Sequence, residues 1–207
     1  MLTMDRDGLS RLPRCMKRFC QKTFRDISIS KARVAKIEYC AEGSHASTIT
    51  AVDFDSVIRD LYAALWRKIG RLPASLDSIF CSGRVFYGIE FKTGRTNATE
   101  IVRKIYDTVL CMIEQCNKSL SWVRNNFQVV IVARRLEVEQ GEQNRRKKKN
   151  KAMKVVGRSI AFQKYPRIGE GATPLWGLEK IEGLVASKIY TITPTEFDEF
   201  CERHDWR

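Results

Sequence analysis

The seven residues Phe127-Gln128-Val129-Val130-Ile131-Val132-Ala133 are apolar and mostly β-branched at all positions but one, and contain neither Gly nor Pro. A strand with one wet face alternates apolar and polar side chains, because successive side chains point to opposite faces. A strand that is apolar at nearly every position must be covered on both sides, so this run predicts the centre of a mixed or parallel sheet. Such a sheet needs helices packed against it.

The sequence upstream supplies them. Phe54, Val57, Ile58, Leu61, Leu65 and Ile69 recur at spacings of three and four, which predicts a helix from Asp53 to near Gly70, where Gly70 and Pro73 mark a turn. Leu76 to Cys81 and Arg84 to Lys92 read as two strands joined at Ser82-Gly83, a hairpin signal. Thr96 to Glu100 offers a polar cap before Ile101, Ile105, Val109, Met112 and Ile113, which predict a second long helix to about Ser121. Residues 52–135 thus read as helix, strand, strand, helix, strand.

The flanks are less patterned. Residues 1–51 read as a basic arm, with a short amphipathic helix or irregular stretch around 14–24, a strand over 33–40 and a loop over 42–47. Residues 136–154 are nearly free of apolar side chains and predict an exposed basic loop. In the C-terminal addition, 155–207, structure resumes at Val155 to Phe162 and a Gly- and Pro-containing loop leads to Glu179 to Ile192, read as another strand. Pro194 then opens a short helix capped by Thr193 or Thr195, with Phe197 and Phe200 on its inner face. A length of 207 residues fits one domain with elaborations.

A net charge of +13 and a pI near 9.6 favour a polyanionic partner such as nucleic acid. Much of the excess lies between Arg6 and Lys36 and in the run Arg145, Arg146, Lys147, Lys148, Lys149, Lys151, Lys154. Arg145 to Lys151 are the candidate phosphate contacts, although such a block also reads as a solvated loop with no dedicated ligand. No run of about 18 apolar residues is present to cross a membrane, and the first twenty residues lack the apolar core of a secretory signal. A cytoplasmic protein is expected. Seven cysteines, with no C-x-x-C pair, predict reduced, packed thiols, and His45 and His204 lack zinc-ligand spacing. Trp66 and Trp122, near helix ends, read as core or boundary residues. The glycines of 169–177 are not followed by the Gly-Lys-Ser/Thr of a phosphate loop.

Strand alternation puts Glu90 and Lys92 on one face, opposite Ile89 and Phe91. If the two strands pair as a hairpin, Asp77 at the start of one comes near Glu90 towards the end of the other. Two converging carboxylates can hold a hard cation such as Mg²⁺, which keeps waters and leaves room for a phosphate. Lys92 beside them can orient or help deprotonate a water, or stabilise charge on the phosphate. A Glu-x-Lys tripeptide alone is as well explained by a surface ion pair worth at most about 1 kcal/mol.

Asp77, a gap of twelve residues, Glu90-Phe91-Lys92 at a strand end, then a helix and another strand, together resemble the PD-(D/E)XK nuclease superfamily. The resemblance covers about 85 of the 207 residues. It implies a restriction-endonuclease-like α/β fold, a central mixed β-sheet flanked by helices. It implies metal binding by Asp77 and Glu90, completion of the site by Lys92, Mg²⁺ or Mn²⁺ as cofactor, and hydrolysis of phosphodiester bonds; with the basic balance, DNA is the expected substrate ahead of RNA. The first helix often adds an acidic residue in that superfamily, for which Asp53, Asp55 and Asp60 are alternatives. The proline that names the motif does not directly precede Asp77, Pro73 being the nearest, and the Gln-x-x-x-Tyr element of one branch is not reproduced by Lys104 and Tyr106. A homodimer would be needed if each protomer cuts one strand of a duplex. The alternative reading is a nuclease fold without catalysis, serving as a nucleic-acid-binding or protein-interaction module.

Overall fold

The computed structural model describes residues 21–29, 40, 42–63, 70, 72–92, 97–133, 171–172 and 174–206. Within them lie β1 (Gln21–Thr23), α1 (Phe24–Ile29), α2 (His45–Thr48), β2 (Thr50–Asp53), α3 (Phe54–Leu61), β3 (Ser78–Ser82), β4 (Val85–Lys92), α4 (Ala98–Cys116), α5 (Leu120–Asn126), β5 (Phe127–Ala133), a 3-10 segment (Leu175–Lys180), β6 (Lys188–Ile192) and α6 (Pro194–Arg203). The strands form one six-stranded mixed sheet in the order β1-β2-β3-β4-β5-β6. The first four pair antiparallel, whereas β4, β5 and β6 run parallel. β5 therefore has a parallel neighbour on each side, as its unbroken apolar run requires.

Side chains on the two faces of the sheet build separate cores. Ile79, Phe86, Val129 and Ile131 pack with α3, α4, α5 and the 3-10 segment. Phe80, Tyr87, Ile89, Phe91, Val130 and Val132 pack on the other side with α1, α2 and α6. The fold is thus α/β, with helices on both faces of the sheet.

The turn between β3 and β4 is two residues long, with Ser82 opposite Val85 and Gly83 at φ 62°. The expected long helix after residue 97 is two helices. Asn97 accepts from the Thr99 N–H at the start of α4, and Asn117 adopts a left-handed conformation just past its end. The Ser119 hydroxyl then accepts from the Trp122 N–H and opens α5. Apolar periodicity continues across this break, which is why it reads as one helix.

Other expectations are corrected. Residues 21–23 are an edge strand and the helix follows at Phe24, rather than ending there. The stretch read as a loop holds the short helix α2, whose Ala46 N–H donates to Asp198 at 2.6 Å. Of Glu179–Ile192 only Lys188–Ile192 is strand, because the chain turns at Gly183 and Glu182 accepts from the Ile189 N–H at 3.0 Å. The C-terminal helix is as expected, with Thr193 and Glu196 in a reciprocal capping box and Phe197 and Phe200 buried. The helix expected to run to near Gly70 differs as well: α3 closes at Leu61, with Tyr62 as its C-cap. Residues 33–39 of the expected strand over 33–40, residues 64–69, the basic loop, and Val155 to Phe162 lie outside the described residues. No helix of the described residues is long and apolar enough to cross a membrane.

The candidate site at the end of β4

Asp77 immediately precedes β3, and the pairing of Ser78 with Ile89 brings it level with Glu90. Its approach is fixed from three sides. The Ala74 N–H donates to Asp107 at 2.8 Å and the Leu76 N–H to the Thr108 hydroxyl at 3.0 Å, which ties the strap before β3 to α4. The Asp77 carbonyl accepts from the Phe54 N–H at 3.1 Å. Gly88 completes the fit: a Cβ there would lie 2.5 Å from Leu76 Cδ1 and 2.8 Å from Phe127 Cζ. Glycine at this position lets Leu76 lie across the sheet and carry Asp77 to the strand end.

Asp77 and Glu90 are each only 1 % exposed. Asp77 Oδ2 accepts from the Phe91 N–H at 2.8 Å. Glu90 Oε1 meets Lys104 Nζ at 2.7 Å and Lys92 Nζ at 2.9 Å, and Lys104 Nζ also stands 3.5 Å from Asp77 Oδ1. Lys92 reaches Glu100 as well, at 3.2 Å. Glu90 Oε2 is buried and makes no hydrogen bond.

These contacts set the electrostatics. Burial, then the neighbouring Asp77 carboxylate, pushes the Glu90 carboxyl up to about 7, against the pull of Lys104 and Lys92. Burial works against the Lys92 ammonium, but Glu90 and then Glu100 outweigh it and hold its pKa above that of an ordinary lysine. Two carboxylates forced together in a dry place cost free energy that a cation recovers.

The sequence expectation of Asp77, Glu90 and Lys92 in one cluster matches this geometry. It missed Lys104. The signal was present, because Glu100, Lys104 and Thr108 repeat every four residues on α4 beside the buried stripe Ile101, Ile105, Val109. The first-helix acids lie elsewhere. Asp53 pairs with Lys22 at 2.7 Å and caps α3 through Ser56, Asp55 accepts from the Ser75 hydroxyl, and Asp60 is exposed. Asp53 and Asp55 line a cleft of about 390 Å³ with Lys22, Arg59 and Ser75. Among the described residues no cluster of three or more His, Cys, Asp or Glu is arranged to hold a metal ion.

A divalent cation nevertheless fits the donor set. Asp77 and Glu90 offer hard oxygen ligands, one of them a buried and unpartnered carboxylate oxygen, and Mg²⁺ is commonly held by one or two carboxylates with water and phosphate completing its shell. His45 and His204 flank the C-terminal segment instead. His45 Nε2 donates to the Trp206 carbonyl at 2.8 Å, and the His204 ring lies 4.2 Å from that of Phe200. The described cysteines are free thiols. Burial pushes the Cys40 thiol up to about 12 and Cys111 to about 11, which suits packing and not nucleophilic chemistry. Trp122 packs edge-on against Phe86 at 5.3 Å. Arg145, Arg146, Lys147, Lys148, Lys149 and Lys151 lie outside the described residues.

No protein-family profile, curated protein or solved structure matches the chain.

Proposed function

We propose that this chain is a metal-dependent nuclease of the PD-(D/E)XK type that hydrolyses phosphodiester bonds in DNA. The observation that carries the reading is the buried Asp77–Glu90 pair at the end of β4, with the Lys92 ammonium 2.9 Å from Glu90. The passage from α3 through the β3–β4 hairpin and α4 to the parallel strand β5 supports it as the order of a restriction-endonuclease-like core.

In this reading Asp77 and Glu90 hold Mg²⁺, or Mn²⁺ in its place. Bound there, the ion supplies charge stabilisation at the phosphoryl oxygen and a lowered pKa for an attacking water. The chain's own residues do the rest. The Phe91 N–H and the strap across α4 keep Asp77 aimed at Glu90, so the ligands are positioned before substrate arrives. Lys92, held as an ammonium by Glu90 and Glu100, donates hydrogen bonds to the phosphate and stabilises the charge that develops on it. The basic segments contribute affinity that falls steeply with salt, without sequence specificity.

One observation favours the second reading, a nuclease fold that binds without cutting: the Lys104 ammonium already stands between the two carboxylates, 2.7 Å from Glu90 and 3.5 Å from Asp77. The deciding experiment is cleavage of single- and double-stranded DNA and RNA by purified protein with Mg²⁺ or Mn²⁺, beside EDTA controls. Metal-dependent DNA cleavage that drops at least about a hundredfold in both Glu90→Gln and Lys92→Met is the expected result. Folded protein that binds DNA but cuts no substrate under any condition would select the second reading.

A further inference from the structure

Lys104 lies between the two carboxylates that the nuclease reading assigns to the metal. Its Nζ is 2.7 Å from Glu90 Oε1 and 3.5 Å from Asp77 Oδ1, and its side chain is 16 % exposed. Lys92 approaches the same pair from the strand side, 2.9 Å from Glu90 and 3.2 Å from Glu100. A cation that ligated Glu90 Oε1 and Asp77 Oδ1 together would need the space where the Lys104 ammonium sits, and its charge would repel that ammonium at such close range. The lysine stem arises from α4, which is packed on the sheet, while its four methylenes can swing without moving the helix.

We infer that Lys104 is an internal counter-cation that occupies the metal position between Asp77 and Glu90 and is displaced when a divalent ion binds. The inference rests on the metal site of the proposed nuclease and adds a property to it. Lys104 positions the two carboxylates in the metal-free protein, keeps them from repelling each other, and weakens metal affinity by competing for the same oxygens.

The test is Mn²⁺ binding to the full chain by titration calorimetry, with unfolding in EDTA measured in parallel. Lys104→Met, which keeps the stem and removes the charge, should bind Mn²⁺ about tenfold or more tightly than wild type and unfold at lower temperature in EDTA. Lys104→Arg, which keeps the charge, should bind Mn²⁺ no more tightly than wild type. If Lys104→Met fails to fold, Lys104→Gln serves in its place. Unchanged affinity in the neutral variant, with wild-type binding present and lost in Glu90→Gln, would overturn the inference and leave the metal site standing. An equal tightening in Lys92→Met would reduce the effect to net charge and overturn it too. Absence of Mn²⁺ binding from wild type and every Lys104 variant would remove the metal site itself, and this inference with it.

Discussion

Glu90 is a side chain whose surroundings work against its own charge. It is buried, faces a second carboxylate, and leaves one oxygen without a partner, while Ile89 and Phe91 on either side face an apolar core. A residue kept only for stability would not need this arrangement, since a neutral group of the same shape avoids the desolvation cost. In EDTA at pH 8, Glu90→Gln should therefore be at least as stable as wild type by thermal or urea unfolding. Adding millimolar Mg²⁺ should raise the wild-type midpoint and leave the variant unmoved, because only a protein that binds the ion gains from it. A wild-type midpoint indifferent to Mg²⁺ and Mn²⁺ would contradict the assignment. Asp77, Glu90 and Lys92 were legible because strand alternation and hairpin pairing fix them locally. For Lys104 only its row on α4, with Glu100 and Thr108, is legible; that this row lies over Asp77 and Glu90 depends on how α4 packs on the sheet, which no local spacing states.

At the scale of elements, the site depends on a strand that lacks a side chain at one point. A methyl group on residue 88 would press into Leu76 Cδ1 and Phe127 Cζ. Gly88→Ala should cost about 1–3 kcal/mol in urea unfolding, as overpacking of a filled core does. It should also weaken Mn²⁺ binding by shifting the strap that carries Asp77. Loss of stability with unaltered metal affinity would separate Gly88 from the site. The edge of the sheet has its own acid sensitivity. Burial raises the Asp53 carboxyl, but hydrogen bonds from Lys22 and Ser56 and the Lys22 charge outweigh it and hold the pKa below the ordinary aspartate value. A depressed carboxyl contributes stability above its unfolded pKa and loses it as pH falls through the folded value. Lys22→Met should accordingly flatten the acid limb of the stability profile below about pH 4, read from melting temperature against pH. Elements with strong periodicity or a cap, such as β5 and α6, were legible in the sequence. β1 and β2 were not, being three and four residues long and held by pairing to partners far along the chain.

At the scale of the molecule, the face of the sheet opposite the site is closed by residues from both flanks of the sequence. Phe24 packs in tilted or edge-on contact with Phe80, Phe197 and Trp206, with ring centroids 5.9, 5.3 and 5.9 Å away, and Trp206 lies 4.6 Å from both Phe80 and Tyr87. Trp206 is fully buried. This packing makes the backing of β4 rigid, which holds Glu90 and Lys92 towards α4. Trp206→Ala should cost about 3–5 kcal/mol, measured as a shift in the urea midpoint. Phe197 was legible as part of the inner face of α6, but Phe24 and Trp206 were not, because neither stands in a periodic run that would assign it to this core. The central claim is that Asp77 and Glu90 hold a divalent cation, and it is tested most directly by anomalous scattering from crystals soaked in Mn²⁺. A single strong peak between the two carboxylates, with the Lys104 side chain swung away, is the predicted result. Crystals with Mn²⁺ bound elsewhere, and the Lys104 ammonium still seated on Asp77 and Glu90, would contradict it.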